Sequence, residues 1–292
     1  MRQVYSHSWW HLLAWLCVPL TWIVATAGCQ RSQTAAQGQA QSGAVARVAA
    51  SNSYLEAMVL DLLGPDTGIV RLAEPGTCPG HFDIRPSQMT ALRNCRVLLR
   101  FDFQRSLDAK LSGVASEGLT IVEVKVPGGM CEPDSYLAAG EQVKDGLVSA
   151  GLIDQASADQ RMQSIRARLA ETAARCQRQV KEAGLAEKAV LTSNHQAAFC
   201  RWLGLQVAAT FSGADVASVE QVQTAIRGGE QAGVIGVVAN LPEGRRVADA
   251  LAKRLNAKVV VFGNFPQIQG DGPAFDALIL GNVAELVKVL QP

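Results

Sequence analysis

Val234-Ile-Gly-Val-Val-Ala-Asn-Leu-Pro-Glu-Gly-Arg-Arg-Val-Ala-Asp-Ala-Leu-Ala-Lys-Arg-Leu-Asn-Ala-Lys-Val-Val-Val-Phe262 reads as strand, helix, strand. Val234–Val238 and Lys258–Phe262 are continuous apolar runs, and Gly244–Leu255 between them has a helical pattern. A strand covered on both faces is apolar throughout instead of alternating. A helical crossover of this length lets the second strand run parallel to the first.

The same rhythm fills the chain. Strand-like runs occur near Arg47–Ser51, Ile69–Ala73, Arg96–Phe101 and Thr120–Val124, then at Ala189–Thr192 and Gln206–Thr210 before the two just quoted. Helical patterns at Tyr54–Leu63, Pro86–Leu92 and Val216–Arg227 separate them. The expected fold is α/β, with two lobes of about four parallel strands each and helices on both faces. A long helix over Ala158–Glu182 joins them. Ser157 and Gln160 fit its capping box and Gly184 its stop. Its apolar stripe, Met162, Ile165, Leu169, Ala173, Cys176 and Val180, steps by three or four residues and marks one buried face. A last helix, Asn282–Leu290, turns Val283, Leu286, Val287 and Leu290 inward.

The 292 residues suffice for two domains, and the net charge of +1 with scattered Lys and Arg argues against a nucleic-acid surface. Arg2, His7 and His11 precede the apolar run Leu12–Ala25, which ends Thr26-Ala27-Gly28-Cys29. That pattern reads as a secretory signal over 1–28, with Cys29 placed as in a bacterial lipobox and Thr26 where Leu is usual. The alternative is a plain transmembrane anchor, although the run falls short of the ~20 residues that span a bilayer. Residues 29–45 are small and polar and read as a flexible tether. The expected units are then an N-terminal lobe over 46–153, a linking helix over 154–185 and a C-terminal lobe over 186–292.

Cys17 leaves with the signal, and Cys29 is the candidate lipid site. Cys95, Cys176 and Cys200 sit among apolar neighbours and read as core. Three polar loops after apolar runs carry the remaining thiols and two imidazoles. They are Gly76-Thr-Cys-Pro-Gly-His-Phe-Asp83, Gly128-Gly-Met-Cys-Glu-Pro133 and Thr192-Ser-Asn-His195. In parallel α/β sheets ligands bind beyond the carboxyl ends of strands, where all three loops fall. Cys78, His81, Cys131 and His195 are therefore candidate metal ligands, of the sulfur and nitrogen type that zinc or copper(I) accepts. Asp83, Glu132 and Asp134 lie near enough to orient the histidines or to be ordinary loop carboxylates. In an oxidising compartment Cys78 and Cys131 have the alternative of a disulfide. There is no Gly-x-Ser-x-Gly elbow or phosphate-binding loop, and no oxyanion hole accompanies a Cys78–His81 pair, so an enzyme is not expected.

From about Ala46 to Leu290 the chain resembles the zinc/manganese-binding solute-binding proteins of bacterial ABC transporters. Glu74–Leu92 resembles the first metal loop and following helix of that family. Leu191-Thr-Ser-Asn-His-Gln-Ala-Ala-Phe199 is similar to its T-S-H-x-A-F segment, and Phe275–Leu290 to its last helix. The resemblance implies two α/β lobes on one rigid helix with a metal ion between them. The departures are specific. Cys78 stands for an Asp, His81 is displaced by one from the family's His, and Cys131 lies where a second His is usual. Asn240 and Asn264 lie near the acidic positions, and the His-rich loop is absent.

The expected function is an exported, monomeric, lipid-anchored protein on the periplasmic or outer side of a bacterial membrane. It captures zinc, with copper or manganese as lesser choices, for an ABC permease. The alternative is a metal-free binding module on the same scaffold, clamped by a Cys78–Cys131 disulfide.

Overall fold

The computed structural model describes residues 47–75, 82–115, 118–270 and 272–291. The expected signal and tether, with Cys29, Cys78 and His81, lie outside the described residues. No helix among the described residues is long and apolar enough to cross a membrane.

Strands β1 (Val48–Ala50), β2 (Ile69–Arg71), β3 (Val97–Phe101) and β4 (Thr120–Val124) form one sheet in the order β2-β1-β3-β4. Strands β5 (Ala189–Ser193), β6 (Gln206–Phe211), β7 (Gly236–Asn240) and β8 (Lys258–Phe262) form a second in the order β6-β5-β7-β8. Every pairing is parallel, so the two lobes repeat one topology, as the apolar strand runs predict.

Helices α1 (Ser53–Leu63), α2 (Pro86–Leu92), α3 (Ser106–Ala115) and α4 (Pro133–Ser149) follow the four strands of the first sheet. Then come α5 (Gln155–Glu182), α6 (Ala197–Trp202), α7 (Val219–Ala232), α8 (Arg246–Leu255) and α9 (Ala274–Leu290). The long helix begins earlier than its sequence signals suggest. Asp154, not Ser157, is the cap, accepting the Ser157 N–H at 3.0 Å. The last helix starts at Ala274 and not at Asn282, because Phe275 and Ile279 extend the buried stripe toward the N-terminus.

Sequence reading gives neither α3 nor α4. In α4 the interior glycines break the helical pattern, yet Gly146 is there because β4 lies against it. A Cβ on Gly146 would sit 2.9 Å from Val122 Cγ2.

The inner faces of both sheets share one continuous core. It runs from Val48, Tyr54 and Phe101 through Tyr136, Leu169 and Cys176 to Phe262, Phe275 and Leu286. Tyr136 of α4 stacks on Phe275 of α9 with ring centroids 4.0 Å apart, and Tyr54 of α1 meets both rings edge-on. Cys176 and Cys200 are fully buried and Cys95 nearly so, in the core roles that their apolar neighbours predict.

A polar clamp crosses the same junction. Arg168 of α5 binds Asp61 of α1 through both terminal nitrogens at 3.0 and 2.7 Å, and Asp276 of α9 through Nε at 3.1 Å. Tyr136 donates to Asp61 at 2.9 Å and Thr172 to Asp276 at 2.7 Å. Helices from both lobes are thus pinned to the spine.

Candidate metal centre

In the order β2-β1-β3-β4 the crossovers diverge between β1 and β3, and in the second sheet between β5 and β7. Crevices open beyond the carboxyl ends of strands at such points. The residues there are buried and polar. After β1 and β3, Ser51 donates to Gln104 Oε1 at 2.6 Å, and Asn52 Nδ2 donates to Ser51 Oγ at 2.9 Å. Asn52 also caps α1 through the Tyr54 and Leu55 N–H groups. After β5 and β7, Ser193 donates to Glu243, and Gln196 Nε2 donates to Asn240 Oδ1 at 3.1 Å.

His195 lies in a single 3-10 turn, Asn194–Gln196, directly after β5. Its N–H bonds Ser193 Oγ at 3.3 Å, and its side chain is 63 % exposed. Ring Nε2 stands 3.7 Å from Glu243 Oε1. Glu243 is held in turn by Ser193 and by the Gly213 N–H at 3.2 Å. This carboxylate is absent from the sequence-level site. Its signal was its place after β7, the crossover partner of β5.

Cys131 lies after β4 in a loop pressed against α6. A Cβ on Gly129 would fall 2.9 Å from the Ala198 Cβ, so only glycine fits there. The Gly129 N–H donates to Glu132 Oε2 at 2.6 Å, which leaves Glu132 engaged within its own loop. The Cys131 thiol is buried and reaches the other lobe. It donates to the Gly263 carbonyl at 3.1 Å and stands 3.6 Å from Asn264 Oδ1, while Asn282 Nδ2 approaches the sulfur at 3.6 Å. Burial, and then the charge of Glu132, push its pKa far up against the hydrogen bond from Asn282. The sulfur is a free thiol.

Asn264 joins the parts of this floor. Its Oδ1 also accepts from Gln196 Nε2 at 2.6 Å. Cys131, Gln196, Asn240 and Asn264 therefore form one buried cluster, with His195 and Glu243 on the exposed side of the same turn. Asp83 is exposed and ion-paired with Lys110 at 3.0 Å. Among the described residues no three His, Cys, Asp or Glu side chains come together as a metal site.

The profile of the zinc-uptake complex component A periplasmic family matches residues 48–289. Comparison with curated proteins finds no matching sequence. Among solved structures, a Mn-bound periplasmic metal binding protein from Candidatus Liberibacter asiaticus superposes with TM-score 0.70 at 11 % identity, over 83 % of this chain and 98 % of that one. Its Cd-bound form gives TM-score 0.69 at 11 % identity, with the same coverage of both chains. A structure titled ZnuA gives TM-score 0.67 at 12 % identity, over 84 % and 98 % of the two chains. These likenesses are likenesses of fold. The profile, spanning both sheets and the helices between and after them, carries more: the chain belongs to the zinc-uptake complex component A periplasmic family.

Proposed function

We propose that the chain captures a transition-metal ion, zinc first and manganese or copper after it, on the periplasmic side of a bacterial membrane. It delivers that ion to the permease of an ABC importer. The single observation that carries this is the family match across both lobes. Members of that family bind a transported solute and are not enzymes. Metal selectivity is left to the donors, since relatives in this fold hold Mn or Cd.

The proposed ligands are Cys78, His81, Cys131 and His195. Their support is their place after β2, β4 and β5, on the carboxyl-end side of the sheets where ligands bind in parallel α/β folds. His195 adjoins Gln196, which shares Asn264 Oδ1 with Cys131, and Cys78 and His81 precede α2. Glu243 beside the His195 ring suits the role of an orienting carboxylate. Zinc binding to Cys131 displaces its proton, so uptake is accompanied by proton release. The disulfide-clamped alternative is not favoured, since Cys131 carries a free thiol bonded to Gly263.

Cys29 is the proposed lipid site after a signal over 1–28, with 29–45 as tether, lobes over 46–153 and 186–292, and a linking helix over 154–185. This layout makes a membrane-held monomer able to reach a permease.

Calorimetry and elemental analysis of reduced protein test the function. Stoichiometric zinc is expected, with His195→Ala weakening binding at least about tenfold, the lower bound for losing even an outer-shell partner. Absence of bound zinc, copper and manganese would overturn it.

A further inference from the structure

Gln196 is fully buried, and its amide nitrogen faces two side-chain oxygens. Nε2 uses both protons, on Asn240 Oδ1 at 3.1 Å and Asn264 Oδ1 at 2.6 Å. That leaves Oε1 sealed from solvent with no hydrogen-bond partner. Turning this amide alone would set its oxygen against the two Asn oxygens. An unpaired buried carbonyl costs about 1–3 kcal/mol, and such a group in a native fold calls for a reason, an absent ion or water among them.

The surroundings point to a cation. The amide belongs to the cluster that contains Cys131: its Nε2 bonds Asn264 Oδ1, which stands 3.6 Å from the sulfur. The Tyr54 hydroxyl is likewise buried without a partner. The floor thus offers one ionisable sulfur and partnerless oxygens. Among the described residues no Asp, Glu, Lys or Arg side chain takes part in its hydrogen bonds.

We propose that Gln196 is a cargo-binding residue, whose Oε1 is an oxygen donor to the metal ion seated beside Cys131. This deepens the proposed function and rests on it. His195, exposed on the adjoining residue, meets the ion at the mouth, and Gln196 meets it inside. A carbonyl oxygen next to a thiolate suits zinc(II) and tolerates manganese(II) better than an all-sulfur site would.

The test is calorimetric titration of the reduced chain with zinc(II) and with manganese(II), for wild type, Gln196→Leu and Gln196→His. Gln196→Leu should weaken zinc binding at least tenfold, measured at a temperature where the metal-free variant is folded, since it also loses the hydrogen bonds to Asn240 and Asn264. Gln196→His should tighten zinc at least tenfold and shift preference away from manganese, since imidazole nitrogen replaces amide oxygen. If Gln196→Leu does not fold, the His variant decides alone. Wild type that binds metal while both variants match it within twofold overturns the role of Gln196 and spares the function. Wild type that binds neither zinc nor manganese overturns both.

Discussion

Replacing Arg168 with methionine should destabilise the protein by about 3 kcal/mol, the low end of what breaking a buried ion pair costs. The low end is chosen because the Arg168 side chain is 30 % exposed, while those of Asp61 and Asp276 are 11 % and 7 % exposed. The loss comes less from the missing attraction than from two carboxylates left without their cation. Methionine keeps the aliphatic stem and the packing along α5, so the charge is what changes. Among the described residues Asp61 would retain only the Tyr136 hydroxyl, and Asp276 only the Thr172 hydroxyl. Urea unfolding should show a lower midpoint with an unchanged slope. Adding Asp61→Asn and Asp276→Asn should restore much of the loss, because neutral amides no longer need the guanidinium. A change below 0.5 kcal/mol in Arg168→Met, the range of ordinary surface substitutions, would mean that the clamp is not a stabilising element. The clamp also bears on function. It holds α1, whose N-terminus carries Asn52 and Ser51, against α9, whose Asn282 holds the Gly263–Asn264 segment. A rotation of one lobe on the other would break both ends at once.

The strands were legible because parallel strands buried on both faces are unmixed apolar runs, and all eight fall within a few residues of their expected places. The spine was legible from its stripe. The site was legible only to the level of loops. His195 and Gln196 are neighbours in one 3-10 turn, and which of them faces the floor is decided by tertiary contacts with Asn240 and Asn264, more than forty residues away. No local pattern distinguishes them. A titratable imidazole draws notice in a sequence, while a glutamine does not, yet the glutamine is the buried one. Glu243 was hidden for a related reason, since its partner Ser193 is brought to it only when β5 and β7 pair. Cys131 shows the converse. Its loop could be placed from sequence, but its cross-lobe contacts depend on Gly263 and Asn282, supplied by the far end of the chain.

Folding stability should fall steeply as pH rises above about 8.5, by about 2 kcal/mol at pH 10 for each deeply buried thiol. Cys131 and Cys200 have almost no exposure, and burial first of all drives both thiol pKa values far up. The unfolded chain releases these protons near pH 8.5, whereas the fold keeps them. Above that pH the unfolded state binds fewer protons than the native state, so the free energy of unfolding declines by about 1.4 kcal/mol per pH unit per thiol. Below pH 8 both states are protonated and the thiols contribute no slope. Cys95 and Cys176, each pushed up to about 11 by burial, act in the same direction. The buried hydroxyls of Tyr54 and Tyr136 join only above pH 10, so the range from 7.5 to 10 isolates the sulfurs. Urea titrations in reducing buffer across that range measure the slope directly. The double variant Cys131→Ala, Cys200→Ala should remove about half of it while leaving the curve below pH 8 flat. A wild-type stability that is level to pH 10 would show that the thiols ionise freely in the fold, which requires water at the Cys131 floor and would remove its sealed, cross-lobe character.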